Sequence, residues 1–244
     1  MRAIRIIFRR ELGAYLRSPF SWVLAALFLL LMGILFQAFG LGDRGGAQLS
    51  AMILERYFSL GALVAMGGGM MLSFRLISEE RQNHSIVLLN TSPVRDSEII
   101  LGKFLAAFAF LAVLLALTLY IPLMLKSGNK ITYSQIFVGY FGLLLAGATA
   151  LAIGLFASSL TKYMLVAGVI ALVILVVVGN LYQFGKRLDG TPRDVFTDLD
   201  LYWTHFAASF QRGILNLKDI VYYLAVIYFF LLLSVKTLEA KRWQ

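Results

Sequence analysis

Cysteine is absent from the 244 residues, which excludes disulfides, thiolate nucleophiles and thiolate-held metals. Charge is scarce: only 14% of residues are Asp, Glu, Lys or Arg, while 60% are hydrophobic and mean hydropathy is +0.81. Soluble domains carry about 25% charged residues, so a membrane domain is the default. Two histidines occur, His84 and His205. Both fall outside the apolar runs, and no paired-His metal motif exists. There is no G-x-S-x-G elbow and no carboxylate cluster within the runs. The pairs Gly102-Lys103 and Gly185-Lys186 lack the upstream glycine and the following Ser or Thr of a phosphate-binding loop. Any nucleotide-derived energy must then come from another chain.

The charge present is mostly of one sign, giving a formal net charge of +9. Lys and Arg fall in short groups between long apolar runs, an arrangement suited to lipid headgroups and membrane topology rather than to nucleic acid. The uncharged stretches are residues 18–42, 57–74, 104–125, 131–161, 163–185 and 220–235. They predict an all-α protein with six transmembrane helices, because about 20 apolar residues span a bilayer. The first stretch has 25 residues, whereas a signal-peptide core needs only about 7–15, so it reads as a retained helix. The last has 16 strictly uncharged residues and is the shortest. Lys162 alone separates the fourth and fifth, placing a turn at 158–162. Thirteen Lys and Arg lie at the termini and in the loops on their side, against nine opposite, which predicts both termini in the cytoplasm. The spans themselves contain no Asp, Glu, Lys, Arg or His, which argues against ion-coupled transport.

Residues 1–17 place Ile4, Ile7, Phe8, Leu12, Tyr15 and Leu16 at helical spacing, with Arg2, Arg5, Arg9 and Glu11 largely on other faces, as in an interfacial amphipathic helix. Residues 186–219 form a connection on the external side. Its aromatic-rich part, 199–217, reads as an amphipathic helix on the outer leaflet or as a re-entrant segment. In the fourth stretch Ala146, Ala150, Gly154 and Ser158 make a small-residue ridge at i, i+4 spacing, for packing within the chain or against a second copy. Pro122 reads as a kink.

The loop 75–103 is the richest segment. Glu79, Glu80 and Arg81 precede Ser85 and the apolar group Ile86, Val87, Leu88 and Leu89. Thr91, Ser92 and Pro93 end that group, since proline disfavours helix in the residue before it. Asp96 or Ser97 then offers a cap for the next helix. A short helix with an apolar tip suits insertion into a partner's groove; a hairpin covering the helix ends accounts for the same pattern.

This loop resembles that of the permease subunits of ABC-2 type ABC transporters, where a pattern like E-E-R-x-x-G-T-x-E-L-L-L-T-S-P-V precedes a helix beginning near W-E-I-x-x-G-K. The matching positions are Glu79, Glu80, Arg81, Ser85, Leu88, Leu89, Thr91, Ser92, Pro93, Val94, Glu98, Ile99, Gly102 and Lys103. His84, Val87 and Asn90 depart from it. GLFASSLTK at 154–162 and THFAASFQRGILNLKDIVYYL at 204–224 extend the likeness, the latter toward the gliding-motility-type (GldF-like) branch.

The resemblance implies a single transmembrane domain over residues 1–244 with no catalytic, cofactor or metal site of its own. It makes residues 75–103 a loop whose coupling helix docks on an ABC ATPase present in two copies, which would bind ATP and Mg. It also implies a second permease, identical or related, around a substrate path. The expected place is the cytoplasmic membrane of a bacterium or archaeon, and the expected task is export from the cytoplasm or inner leaflet. A non-transporting anchor of envelope or motility machinery, and an ATP-independent transporter, stay open as alternatives.

Overall fold

The computed structural model describes residues 2–40, 50–82, 95–126, 132–187 and 190–242, and no strand occurs among them. The helices are α1 (Arg2–Arg17), α2 (Pro19–Gly40), α3 (Ser50–Ser73), α4 (Ser78–Gln82), α5 (Asp96–Leu117), α6 (Tyr120–Lys126), α7 (Tyr133–Leu160), α8 (Met164–Gly179), α9 (Leu181–Gly185), α10 (Thr191–Asp198) and α11 (Leu217–Arg242). A 3-10 turn covers Phe210–Arg212.

Five stretches are long and apolar enough to cross a bilayer: Pro19–Ala38, Ile53–Gln82, Asp96–Met124, Tyr133–Leu160 and Leu217–Lys241. Charge-free lengths predict the last span to be the shortest; instead α11 has 26 residues and α8 has 16. Helix ends follow backbone bonding rather than charge. Lys218 and Asp219 lie inside α11, whereas Gly179-Asn180 ends α8 within an uncharged run. There the Asn180 side chain donates to the Val176 carbonyl (2.9 Å) and its backbone N–H to Val177 (3.2 Å). The turn between α7 and α8 occupies residues 161–163, later than the expected 158–162, because α7 stays helical through Leu160.

Pro122 acts four residues upstream of itself. Lacking an N–H, it leaves the Thr118 carbonyl without an α-helical partner, and α5 gives way to α6 around Thr118. The Tyr140 phenol of α7 donates to that carbonyl at 2.9 Å, and Ile121 N–H at 3.1 Å. Tyr57 of α3 joins through its hydroxyl, 3.1 Å from that of Tyr140, so the kink becomes a buried joint of three helices. The start of α5 also differs from expectation: Asp96 is its first helical residue, Arg95 the cap position, and the Glu98 carboxylate accepts from Arg95 N–H at 3.4 Å.

α7 forms the centre. Its apolar window is 83% buried, against 28% for those of α2 and α11, which leaves the latter two facing lipid. Hydrocarbon gives helices no hydrophobic reason to associate, so close approach of small residues must supply the packing. Gly69 of α3 meets Gly147 of α7 so closely that a Cβ on Gly69 would collide with the Gly147 carbonyl oxygen. About one helical turn farther along α3 and two along α7, Gly154 faces Ser73.

The two ends of the bundle differ. At one end the Ser158 hydroxyl of α7 accepts from Ile77 and Ser78 N–H, both at 2.9 Å. Lys241 of α11 donates to the Ser159 and Leu160 carbonyls at 3.2 and 2.5 Å, satisfying groups that a helix C-terminus leaves open. The start of α4 and the C-terminal ends of α7 and α11 therefore meet there.

At the other end, residues 199–216 do not form the expected amphipathic helix but turns around the 3-10 segment. Their Leu201, Phe206 and Phe210 are fully buried, and Phe210 fills the space a side chain on Gly142 would need. Carboxylates replace helical bonding here. Asp200 accepts from the N–H groups of Tyr182 (3.0 Å), Trp203 (2.5 Å) and Thr204 (3.2 Å). Burial pushes its carboxyl above the usual range, opposed by those bonds. His205 contacts Asp219 (2.6 Å) and the Asp198 carbonyl (3.0 Å) through its two nitrogens. Ser209 donates to Asp219 rather than to His205, so these residues lack the nucleophile–base pair of a hydrolytic triad.

Candidate functional site

α1 packs against α5. A Cβ on Gly102 would stand 2.7 Å from the Ile7 side chain and 3.3 Å from the Ile4 carbonyl, so only glycine admits this approach. Tyr15 is buried, stacks on Phe110 with centroids 5.3 Å apart, and donates to the Leu72 carbonyl at 2.9 Å. Ile6 and Leu16, 67% and 52% exposed, are left for lipid on the remaining faces.

This docking assembles an ion cluster. Lys103 of α5 is 1% exposed, and its Nζ lies 2.8 Å from Glu80 Oε1 of α4 and 3.1 Å from Glu11 Oε1 of α1. Arg10 reaches the same two carboxylate oxygens at 2.7 Å for Glu11 and 3.2 Å for Glu80. Burial works to raise the Glu11 carboxyl, but the Lys103 charge and the Arg10 hydrogen bond outweigh it and hold Glu11 below the usual carboxylate range. The Glu11 hydrogen bond in turn holds the Arg10 guanidinium above its ordinary value. Beside the cluster, Arg75 pairs with Glu79 (2.9 Å) and covers the Phe20 ring at 4.5 Å. A cavity of about 280 Å³ lies among these groups, bounded by Glu11, Tyr15, Arg75, Glu79, Glu80 and Lys103.

The three acidic and basic residues that open the loop are thus placed differently. Glu80 turns inward to Lys103, Glu79 pairs back to Arg75, and Arg81 is half-buried at the last turn of α4. Ser85, Ile86, Leu88, Leu89, Thr91, Ser92 and Pro93 lie outside the described residues. Ala146, Ala150, Gly154 and Ser158 are all buried within the chain, the last two against Ser73 and the start of α4.

Sequence reading missed Lys103 as a buried charge. Spans drawn between charged residues begin after it, whereas α5 starts seven residues earlier. A signal was present: Glu11 and Lys103 each stand beside an apolar helical face, where an unpaired charge would be costly. Their pairing needs the α1–α5 crossing, which spacing along the chain does not reveal.

The sequence model of a family described as ABC-2 family transporter protein matches residues 5–186. That span includes every member of the ion cluster. No curated protein matches the chain.

Proposed function

Because this chain belongs to the ABC-2 transporter family, we propose that it is the permease subunit of an ATP-driven exporter. A separate ATPase in two copies, each using ATP and Mg, would drive it, with a second permease, identical or related, completing the substrate path. Substrate would leave the cytoplasm or inner leaflet.

The observation that carries this reading is the Lys103 cluster. Glu80 opens the segment expected to hold the coupling helix, and through Lys103 it is tied to both the interfacial helix α1 and the membrane helix α5. A pull on that segment therefore reaches α5 through a buried ion pair, and a push bears on α1, which leans on α5 at Gly102. Docked and released forms of this linkage would supply the two arrangements that a transmitted conformational change requires. The element 79–93, with Leu88 and Leu89, is assigned to docking in the ATPase groove.

Six crossings are part of the proposal. α4 and the C-terminal ends of α7 and α11 share one end of the bundle. α8 leaves that end after the 161–163 turn and reaches the other, where Val178 accepts from Leu201 N–H at 3.1 Å. The 16-residue α8 spans about 24 Å at 1.5 Å per residue, and α9 supplies the remainder of a crossing. Both termini then lie on the ATPase side, in the cytoplasm, and the 199–216 segment faces outward. Its likeness to the gliding-motility-type branch makes an envelope or motility role the first setting to test.

Co-purification with the cognate ATPase tests the docking. Leu88→Asp and Leu89→Asp together should abolish the complex while leaving the permease folded; an undiminished complex refutes the assignment.

A further inference from the structure

At the end of the bundle opposite the ion cluster, a cavity of about 530 Å³ opens between the start of α3 and the 199–216 turns. Its size is that of small-ligand sites, and its lining is polar and aromatic rather than lipid-like: Glu55, Tyr182, Tyr202, Trp203, Gln211 and Arg212. Seventeen residues of helix separate Glu55 from Leu72, beside the Tyr15 hydroxyl, or about 25 Å at 1.5 Å per residue.

The walls are fixed in advance. Buried Asp200 holds the backbone N–H groups of both Tyr182 and Trp203. The Tyr202 hydroxyl lies 2.6 Å from Ser59 Oγ on α3. Tyr202 and Trp203 meet edge to face, with centroids 5.3 Å apart at 89°, which gives two perpendicular aromatic walls. Arg212 ends the 3-10 turn anchored by fully buried Phe210. Gly213 follows at φ +76°, where a side chain would be strained and would stand 2.8 Å from Gln135. The position of Arg212 therefore depends on a left-handed glycine.

Two opposite charges line this cavity without pairing. Among the described residues, the Glu55 and Arg212 side chains form no ion pair or hydrogen bond with each other or with another group. Glu55 is half-buried, and a carboxylate so placed favours a cation. Aromatic walls beside a carboxylate are the setting that recognises organic ammonium groups. Lys186 already stands 4.5 Å over the ring of Tyr182, one of the lining residues. The guanidinium of Arg212 matches a phosphate fork to fork, and Gln211 adds amide hydrogen-bonding capacity. A neutral sugar would leave both charges unanswered. Exposed Ile214, Leu215 and Leu217 adjoin Arg212, which places the cavity at an apolar–polar boundary where phosphate-bearing headgroups reside.

We propose that this cavity binds an amino-phosphate zwitterion, its ammonium at Glu55 between the aromatic walls and its phosphate at Arg212. The group can belong to a phospholipid headgroup or to a free molecule. The site stands apart from ATP coupling, so it is tested on the purified full chain without nucleotide or ATPase.

Phosphoethanolamine binding is followed by calorimetry. Retention of phosphatidylethanolamine against phosphatidylglycerol from mixed micelles is followed by native mass spectrometry. Glu55→Gln should weaken phosphoethanolamine binding, or phosphatidylethanolamine preference, at least tenfold and leave the affinity for inorganic phosphate within twofold. Arg212→Ala should weaken binding of all three at least tenfold. Trp203→Ala, at a 42% exposed position where folding is secure, should weaken the ammonium ligands and spare phosphate. Lys218→Ala, an exposed control, should change nothing. Lipid retention without affinity for the soluble compound assigns the site to a headgroup, and the reverse assigns it to a free amino-phosphate. The proposal is overturned if neither ligand binds, if Glu55→Gln and Arg212→Ala bind as wild type, or if a simple amino acid binds as tightly as phosphoethanolamine.

Discussion

Replacing Lys103 with Met keeps the length of the side chain and removes its charge. The wild-type ammonium is 1% exposed and bridges two carboxylates that are themselves only 13% and 19% exposed. Breaking a buried ion pair from one side costs about 3–5 kcal/mol, mostly because the partner charge is stranded. Here two carboxylates would be stranded together, but Arg10, 53% exposed, still reaches both and offsets part of the loss. A destabilisation of about 2–3 kcal/mol follows. Equilibrium unfolding of the detergent-solubilised chain reads it, and a double-mutant cycle with Glu80→Gln should return a coupling of about 1–2 kcal/mol. The triple replacement Lys103→Met, Glu80→Gln, Glu11→Gln should recover much of the stability, since the one charge of the cluster that loses its partners, Arg10, is 53% exposed and keeps its hydration. In the complex with an ATPase, Lys103→Met should lower transport per ATP hydrolysed more than hydrolysis itself. A Lys103→Met protein within about 0.5 kcal/mol of wild type, or a coupling near zero, refutes the clamp.

The three consecutive glycines of α3 should separate sharply. Gly67→Ala meets nothing within 4 Å and should be neutral or stabilising by up to about 1 kcal/mol, whereas Gly69→Ala drives a methyl into the Gly147 backbone and should cost about 3 kcal/mol or more; equal effects in thermal unfolding would refute the α3–α7 crossing. Ser158→Ala removes the acceptor of two buried N–H groups and should cost about 1–3 kcal/mol, with faster proteolysis at α4; unchanged protection there would count against it. Because Glu11 is held below its ordinary value of 4.5, its contribution is complete above that pH and is lost as pH falls through the lower folded value. Stability measured from pH 7 to 3 should therefore drop below about 4.5, less steeply in Glu11→Gln, and an identical slope in that variant would refute the assignment.

Hydropathy and charge point to an all-helical membrane protein, because uncharged runs of about 20 residues match the length of helices, which satisfy their backbone within each segment. The amphipathic face of α1 and the small residues of α7 were legible for the same reason: both are periodic along one helix. Helix ends were less so. Charge marks where a side chain prefers water, while the break at Asn180 and the kink at Thr118 depend on which carbonyls find donors. The segment 199–216 defied its amphipathic pattern because Asp200 and Asp219 compete for backbone and side-chain donors that a helix would use. Neither the Lys103 cluster nor the Glu55–Arg212 cavity could be read in advance, since each joins residues far apart in the chain, the first through a close helix approach and the second through turns folded against α3. Hydropathy dictates which surfaces must leave water, but which charges meet in the interior is a matter of packing, since it depends on where glycine lets two helices touch.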